Sequence, residues 1–215
     1  MVNKNDFNEH LNSLKSFSYI NYYEQLGKTS YKIDIPFNSN NAFWTKLKNI
    51  SFITKLAGFE YSKYINPNLK GNGIPLFKGK NVQNSKVIYE FEGYIPIDIS
   101  NKLYRSQVTK KCLLTPYVGT IGNVGIHNKE GVYHLGSNVG KIEIYNNYSL
   151  NIMEEYVFFY LKSYTGYDEL TKFKKSTAQE SISIDAIRET MIPIYSIRLQ
   201  KEIVDKLEYI NLLLD

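Results

Sequence analysis

The sequence predicts an α+β protein: an irregular mixed, largely β domain followed by a C-terminal helix that would begin a coiled coil. Three observations carry that expectation. From Lys46 onward, short apolar runs alternate with Gly, Asn and Pro, the punctuation of strands joined by turns. Residues Ile152 to Lys162 then run without a breaker and place apolar side chains on several faces, as a buried helix does. Ile203, Leu207, Ile210 and Leu214 recur at spacings of four, three and four, the a/d pattern of a helix seam, with Glu202, Asp205, Lys206 and Glu208 on its flanks.

In chain order, Phe7, Leu11 and Leu14 follow Asn5-Asp6 at helical spacing, with Glu9 three residues beyond Asp6 as in a capping box, so a short amphipathic helix is expected over 5–17. A helical patch around Tyr22 to Leu26 is expected to stop at Gly27, and Pro36 to Asn41 reads as a linker. The main domain then starts near Phe43-Trp44. Its β runs are Leu47 to Thr54, Ile74 to Phe77, Val87 to Phe91, Cys112 to Val118, Val124 to His127 and Val139 to Tyr145. The buried helix over 152–162 is followed by another around Tyr167 to Phe173, a short capped helix at Ser183 to Ile187, an extended Ile192-Pro193-Ile194 and a helix from about Leu199. The boundaries expected are 1–40 for the helical lead-in and linker, 41–195 for the main domain and 196–215 for the final helix.

At 215 residues and 43% hydrophobic composition, the chain is long and apolar enough for one substantial folded domain. A formal charge of +5 favours a polyanionic partner. The 19 Tyr and 11 Phe offer stacking faces, although for any single ring a core position is the plainer reading. One cysteine, Cys112, leaves no intrachain disulfide and sits in an apolar run suited to a buried strand, as in a reducing compartment. Met1 to His10 has no apolar signal core, and no stretch reaches transmembrane length, so a cytoplasmic protein without membrane contact is expected.

Catalytic signatures are missing from the residues. Gly119, Gly122 and Gly125 make G-x-x-G-x-x-G, which is not the dinucleotide fingerprint. Gly73 to Lys80 misses a P-loop by one residue and has Asn81 where a magnesium-binding hydroxyl belongs. No Asn/Asp-Pro-Pro-aromatic motif of an adenine methyltransferase is present, and no lysine has an acidic residue two positions before it, as common nucleases require. His10, His127 and His134 lack metal-ligand spacing, and no nucleophile elbow occurs. No catalytic residue, metal or cofactor is therefore expected. What the chain does carry is the Gly-punctuated turn Thr115 to Gly125 and, about fifty residues on, Lys172 to Ser183, where three lysines precede small hydroxyl and amide side chains. Lysines neutralise phosphates, while Thr, Asn and Gln hydrogen-bond base edges.

Read in order, Phe43-Trp44-Thr45-Lys46-Leu47, Ile53 to Glu60, Gly73 to Lys80, Gly119-Thr120-Ile121-Gly122, Thr177-Ala178-Gln179-Glu180-Ser181-Ile182-Ser183 and Ile192-Pro193 before Leu199 to Val204 resemble a target recognition domain. The family is the specificity subunit of type I restriction-modification systems, with the related specificity polypeptides of some type II systems. The likeness runs from about Phe43 to Asp215. It implies a protein that does no chemistry but reads one half of a bipartite site in double-stranded DNA, directing methyltransferase subunits and, in type I systems, restriction subunits. Family members usually have two recognition domains, whereas this chain has room for one, so it is expected to pair or to belong to something longer. Two other classes stay open on the residues: a methyltransferase or nuclease with unrecognised motifs, and a protein-interaction module on the same fold.

The candidates for DNA contact are Lys78, Lys80, Lys172, Lys174 and Lys175 for phosphates and Tyr117, Thr120, Asn123 and Gln179 nearer the bases. A solvated face is the alternative for the lysines, and support of the fold is the alternative for the others. Ile203, Leu207, Ile210 and Leu214 are the candidates for self-association or methyltransferase docking, against the alternative that they pack on the chain's own domain.

Overall fold

The computed structural model describes residues 21–24, 31–34, 42–145, 151–175 and 179–214, with side chains described from 42 to 209 within those ranges. In chain order the strands and helices are β1 (Asn21–Glu24), β2 (Tyr31–Asp34), β3 (Phe43–Lys46), α1 (Leu47–Ile50), β4 (Ser51–Lys55) and α2 (Gly58–Glu60), which runs on through a π turn and a 3₁₀ turn to Asn68. There follow β5 (Ile74–Phe77), β6 (Val82–Gln83), β7 (Lys86–Val87), β8 (Tyr94–Ile95), α3 (Ile97–Lys102), β9 (Gln107–Val108), β10 (Cys112–Pro116), β11 (Gly125–His127), β12 (Tyr133–Leu135) and β13 (Val139–Ile144). Helices α4 (Glu154–Lys162), α5 (Tyr164–Thr171) and α6 (Ile184–Arg188), strand β14 (Met191–Ile194) and helix α7 (Ile197–Leu214) complete the fold.

The uninterrupted apolar run of β10 has a direct cause: the strand is buried on both faces. It lies inside an antiparallel sheet ordered β11-β10-β13-β4, with Leu113 opposite both Ile126 and Ile142. On one face Leu113, Ile142 and Ile53 join a core with Tyr156, Val157 and Leu161 of α4, Ile187 of α6 and Val204 and Leu207 of α7. Because side chains alternate along a strand, Cys112 and Leu114 turn the other way, into a second core with Leu76, Phe77, Ile95, Val108 and Leu135. That second core belongs to a mixed sheet ordered β8-β5-β12-β9, in which β5 and β12 run parallel. The burial expected for Cys112 is found, and burial pushes its thiol pKa up to about 12, so it remains a protonated apolar filler.

Two tyrosines of α4 explain how the far strand is held. Tyr156 Oη donates to Pro193 O at 2.5 Å and Tyr160 Oη donates to Met191 O at 2.7 Å, so the helix grips β14 by its carbonyls. Strand β14 itself pairs antiparallel with β3, from Met191 opposite Lys46 to Ile194 opposite Phe43. Pro193 fits because this two-stranded ribbon leaves it an edge position. Fully buried Gln200 anchors the start of α7: its Nε2 donates to Asn151 O and Tyr195 O, and its Oε1 accepts from Met153 N.

Several expected elements take a different form. The run Leu47 to Thr54 divides into the single turn α1 and strand β4, because Leu47 and Ile50 share one buried helical face and Ser51 Oγ donates back to Leu47 O at 2.6 Å. Asn21–Glu24 is a strand rather than a helix. Its four register pairs with β2 satisfy main-chain groups that so short a helix would leave open, and adjacent tyrosines favour the extended form. The β run expected over Val87 to Phe91 stops after Val87. Beyond it the carbonyls of Ile88 and Glu90 accept from Asn81 Nδ2 instead of a neighbouring strand, and Tyr89 and Phe91 fold onto Phe77 and Tyr133. The helix at Ser183 is found as expected, with Ser183 Oγ accepting from Ala186 N. The helix expected over 5–17 and the linker at Pro36 to Asn41 lie outside the described residues.

His127 and His134 are both fully buried, and among the described residues Nε2 of neither has a hydrogen-bond partner of normal geometry. Nδ1 of His134 lies 2.8 Å from Leu135 O, to which it donates, while Nδ1 of His127 meets Tyr89 Oη at 3.1 Å. Burial is the main cause that lowers both pKa values below the ordinary histidine value of 6.5. The unfolded chain therefore binds more protons than the folded one in mildly acidic solution. The stabilisation from keeping these rings neutral is present in full above pH ~6.5 and is lost as pH falls through their lowered folded-state values. Urea denaturation between pH 8 and 5 is expected to show stability falling below pH ~6.5, and Asn in place of both histidines is expected to flatten that fall. An unchanged slope in the double variant would assign the acid sensitivity elsewhere.

Candidate nucleic-acid interface

The two segments that stand out in the sequence, separated by about fifty residues, lie side by side. Gly119 N donates to Glu180 O at 3.0 Å and Ile182 N donates to Tyr117 O at 2.8 Å, so residues 179–182 run along the turn that leaves β10. That turn requires glycine. Gly122 has φ +83°, and a Cβ there would come within 2.2 Å of the Tyr167 ring; Gly119 has φ +86° and lies under the Gln179 amide.

Together these segments form part of a recess of about 470 Å³ lined by loops from five places in the chain. Lys78, Gly79 and Lys80 come from the turn after β5, Gln83 and Asn84 from the β6–β7 hairpin, Val118, Gly119, Thr120 and Asn123 from the Gly-rich turn, Ser137 and Asn138 from the turn before β13, and Gln179 from the segment before α6. The loops are tied to one another. Gly79 N donates to Ser137 O at 3.0 Å, Lys78 N donates to Asn81 Oδ1 at 2.8 Å, and Thr115 Oγ1 donates to Asn123 O at 2.9 Å. Asn81 is 2% exposed and also holds the carbonyls of Ile88 and Glu90, which makes it a buried hub beneath the lysine turn.

Of the sequence candidates, Lys78, Lys80, Thr120, Asn123 and Gln179 line this recess. Tyr117 does not. It is half-buried behind the wall, where its hydroxyl accepts from Asn138 N at 3.3 Å, Lys55 Nζ lies 4.4 Å from its ring centre, and burial raises its pKa. Lys174 is drawn close by Glu180, which it meets at 2.9 Å, and that hydrogen bond raises the lysine pKa. Lys172 is turned towards Glu169 at 2.5 Å, and Lys175 is exposed, its backbone paired with Ser181. Lys78 and Lys80 share one carboxylate: Glu92 is 3.4 Å from Lys78 Nζ and also pairs with Lys80. Gln83, Asn84, Ser137 and Asn138 were not singled out from the sequence, since lone amides and hydroxyls in turns are indistinguishable from ordinary turn formers.

On α7 the placements divide. Leu207 is 4% exposed within the chain's own core beside Val204, and Ile203 packs against that core. These two side chains are engaged within the chain rather than offered to a partner, because α7 folds back against α4. The side chains of Ile210 and Leu214 lie outside the described residues. Among the described residues there is no group of three or more His, Cys, Asp and Glu side chains able to hold a metal ion, and no helix is long and apolar enough to cross a membrane.

The described residues form an irregular α+β body whose polar recess is assembled from turns. The chain belongs to the type I restriction modification DNA specificity domain family, which matches it over residues 37–214. No curated protein sequence matches it significantly. Among solved structures, a chain from work on complex assembly and conformational transition of the type I R-M system is 14% identical, with a TM-score of 0.59 over 98% of this chain and 48% of that one. The HsdS subunit from Thermoanaerobacter tengcongensis is 16% identical, with a TM-score of 0.57 over 98% of this chain and 44% of that one. The S subunit of a type I restriction-modification system from M. genitalium is 14% identical, with a TM-score of 0.51 over 81% of this chain and 40% of that one. At these identities the likeness is one of fold. The chain spans less than half the length of each of these structures.

Proposed function

We propose that the chain reads one half of a bipartite DNA sequence on behalf of a methyltransferase and, with it, an endonuclease, and performs no chemistry of its own. The observation that carries this reading is the recess itself, where lysines and amides from five separate turns converge on one concave surface. Lysines placed at the edge of such a surface set the register on the phosphates, while amides and hydroxyls within it meet base edges. Lys78, Lys80 and Lys174 take the first role; Thr120, Asn123 and Gln179 take the second. Lys172 and Lys175 belong to the same basic segment and add phosphate contacts. Tyr117 supports the wall from behind. With Ile203 and Leu207 occupied within the chain, self-association or methyltransferase docking through α7 falls to the later positions, Ile210 and Leu214.

The test is a titration of labelled duplex at several salt concentrations. A single module with a limited basic footprint is expected to bind weakly and with steep salt dependence, because each phosphate contact releases counterions. Salt-independent binding, or no binding even with the cognate methyltransferase present, would overturn the reading.

A further inference from the structure

Five amide side chains line the recess, and their hydrogen bonding separates them. Gln83 Nε2 donates to Lys80 O at 2.6 Å and Asn123 Nδ2 donates to Thr120 O at 3.4 Å, so both are partly occupied with their own turns. Gln179 packs over Gly119. Asn84 and Asn138 differ from these three: both are exposed, and their side-chain amides make no hydrogen bond among the described residues. Each therefore keeps an N–H donor and a carbonyl acceptor side by side and unengaged. That is the complement of one base edge in the major groove, the N6–H donor and N7 acceptor of adenine.

Their backbones are fixed as well. Asn138 N donates to Tyr117 Oη at 3.3 Å and its carbonyl accepts from Tyr117 N at 3.1 Å, so one tyrosine holds the residue by both ends. Asn84 and Ser85 form the two-residue turn of the hairpin in which Gln83 pairs with Lys86. Asn84, Ser85 and Asn138, at φ 49°, 61° and 63°, are the non-glycine residues with positive φ among those described, and two of the three are these amides. Asparagine suits such turns for local reasons, so the backbone alone says nothing of a ligand. The unengaged amides on fixed backbones do. With the backbone already fixed, only the side-chain torsions are left to be ordered when such an amide meets a base.

We propose that Asn84 and Asn138 are specificity-determining residues that read adenine in the half-site. The inference rests on the DNA-recognition reading above and refines it. Lys78 and Lys80, in the same recess, set the register, and the two asparagines discriminate.

The test uses the whole chain and a pool of duplexes randomised over about ten base pairs, with bound molecules recovered at low salt and sequenced. The variants are Asn84→Gly and Asn138→Gly, because glycine keeps the positive φ while deleting the amide. The wild-type chain is expected to enrich a motif containing adenine. Each variant is expected to lose preference at one adenine position by roughly tenfold or more, with the salt slope that phosphate contacts set kept at its wild-type value. Asn138→Asp, which retains the turn, is expected to move the preference at its position towards cytosine, whose N4 amino group donates to a carboxylate. A wild-type motif without adenine, variants that enrich the wild-type motif, or a uniform loss of affinity with a shallower salt slope would each overturn the assignment and leave DNA recognition standing. If the wild-type chain retains no duplex at low salt even with the cognate methyltransferase present, the DNA reading itself fails and this assignment fails with it.

Discussion

The double variant Lys78→Ala, Lys80→Ala is expected to bind duplex DNA on the order of tenfold more weakly per lost phosphate contact at about 50 mM salt, with its log-log salt slope reduced by roughly 0.9 for each. Both ammonium groups stand at the recess, next to the turn held by buried Asn81. In the free chain they share Glu92, so DNA must compete with that carboxylate. The pairs are substantially exposed and are worth at most about 1 kcal/mol. Glu92→Gln is accordingly expected to act in the opposite direction, raising affinity by up to about fivefold and most visibly at low salt. Filter binding or anisotropy across a salt series measures both. A double alanine variant with wild-type affinity and slope would leave these lysines as a solvated face and remove them from the interface.

The second large effect is on stability. Leu207→Ala is expected to destabilise the chain by about 2–5 kcal/mol, the range for deleting a buried leucine, because its side chain fills the core shared by α4, α6 and α7. Glu208, the next residue and exposed, provides the control, and its alanine variant is expected to lie within ~0.5 kcal/mol of wild type. Urea unfolding of both variants decides the matter. If Leu207→Ala unfolds at the wild-type midpoint but no longer self-associates, the residue belongs to a seam between chains after all.

The same residue shows where the sequence could be read and where it could not. The spacing of Ile203 and Leu207 marks an amphipathic face correctly, but periodicity does not say what covers that face. Here α4 of the same chain covers it. Signals that act over a few residues were legible: the buried β10 run, the breaker-free α4 and the Ser183 cap. Where a distant group decides the conformation, they were not. Val87 to Phe91 has the composition of a strand, yet Asn81 takes its carbonyls and the ring cluster takes its side chains. Likewise Leu47 to Ile50 reads as β until two buried residues three apart select a helical turn. In the candidate site, the lysine turn and the Gly-rich turn were visible as separate motifs. Their convergence was not, because it runs through a third turn, with Gly79 paired to Ser137 some sixty positions on and Tyr117 paired to Asn138. Asn84 and Asn138 carried no signal at all, since their interest lies in what their amides leave unbonded.

Strands β3 and β14 begin and end the mixed body, and they are hydrogen-bonded partners along four register pairs. The chain therefore enters this body at Phe43 and leaves it at Ile194 from neighbouring points on the surface. Every turn that lines the recess lies between these two strands in the sequence, so the ribbon fixes the distance between the flanking segments whatever the length of those turns. The Gln200 anchor of α7 lies beyond the ribbon, outside the stretch that carries the recess.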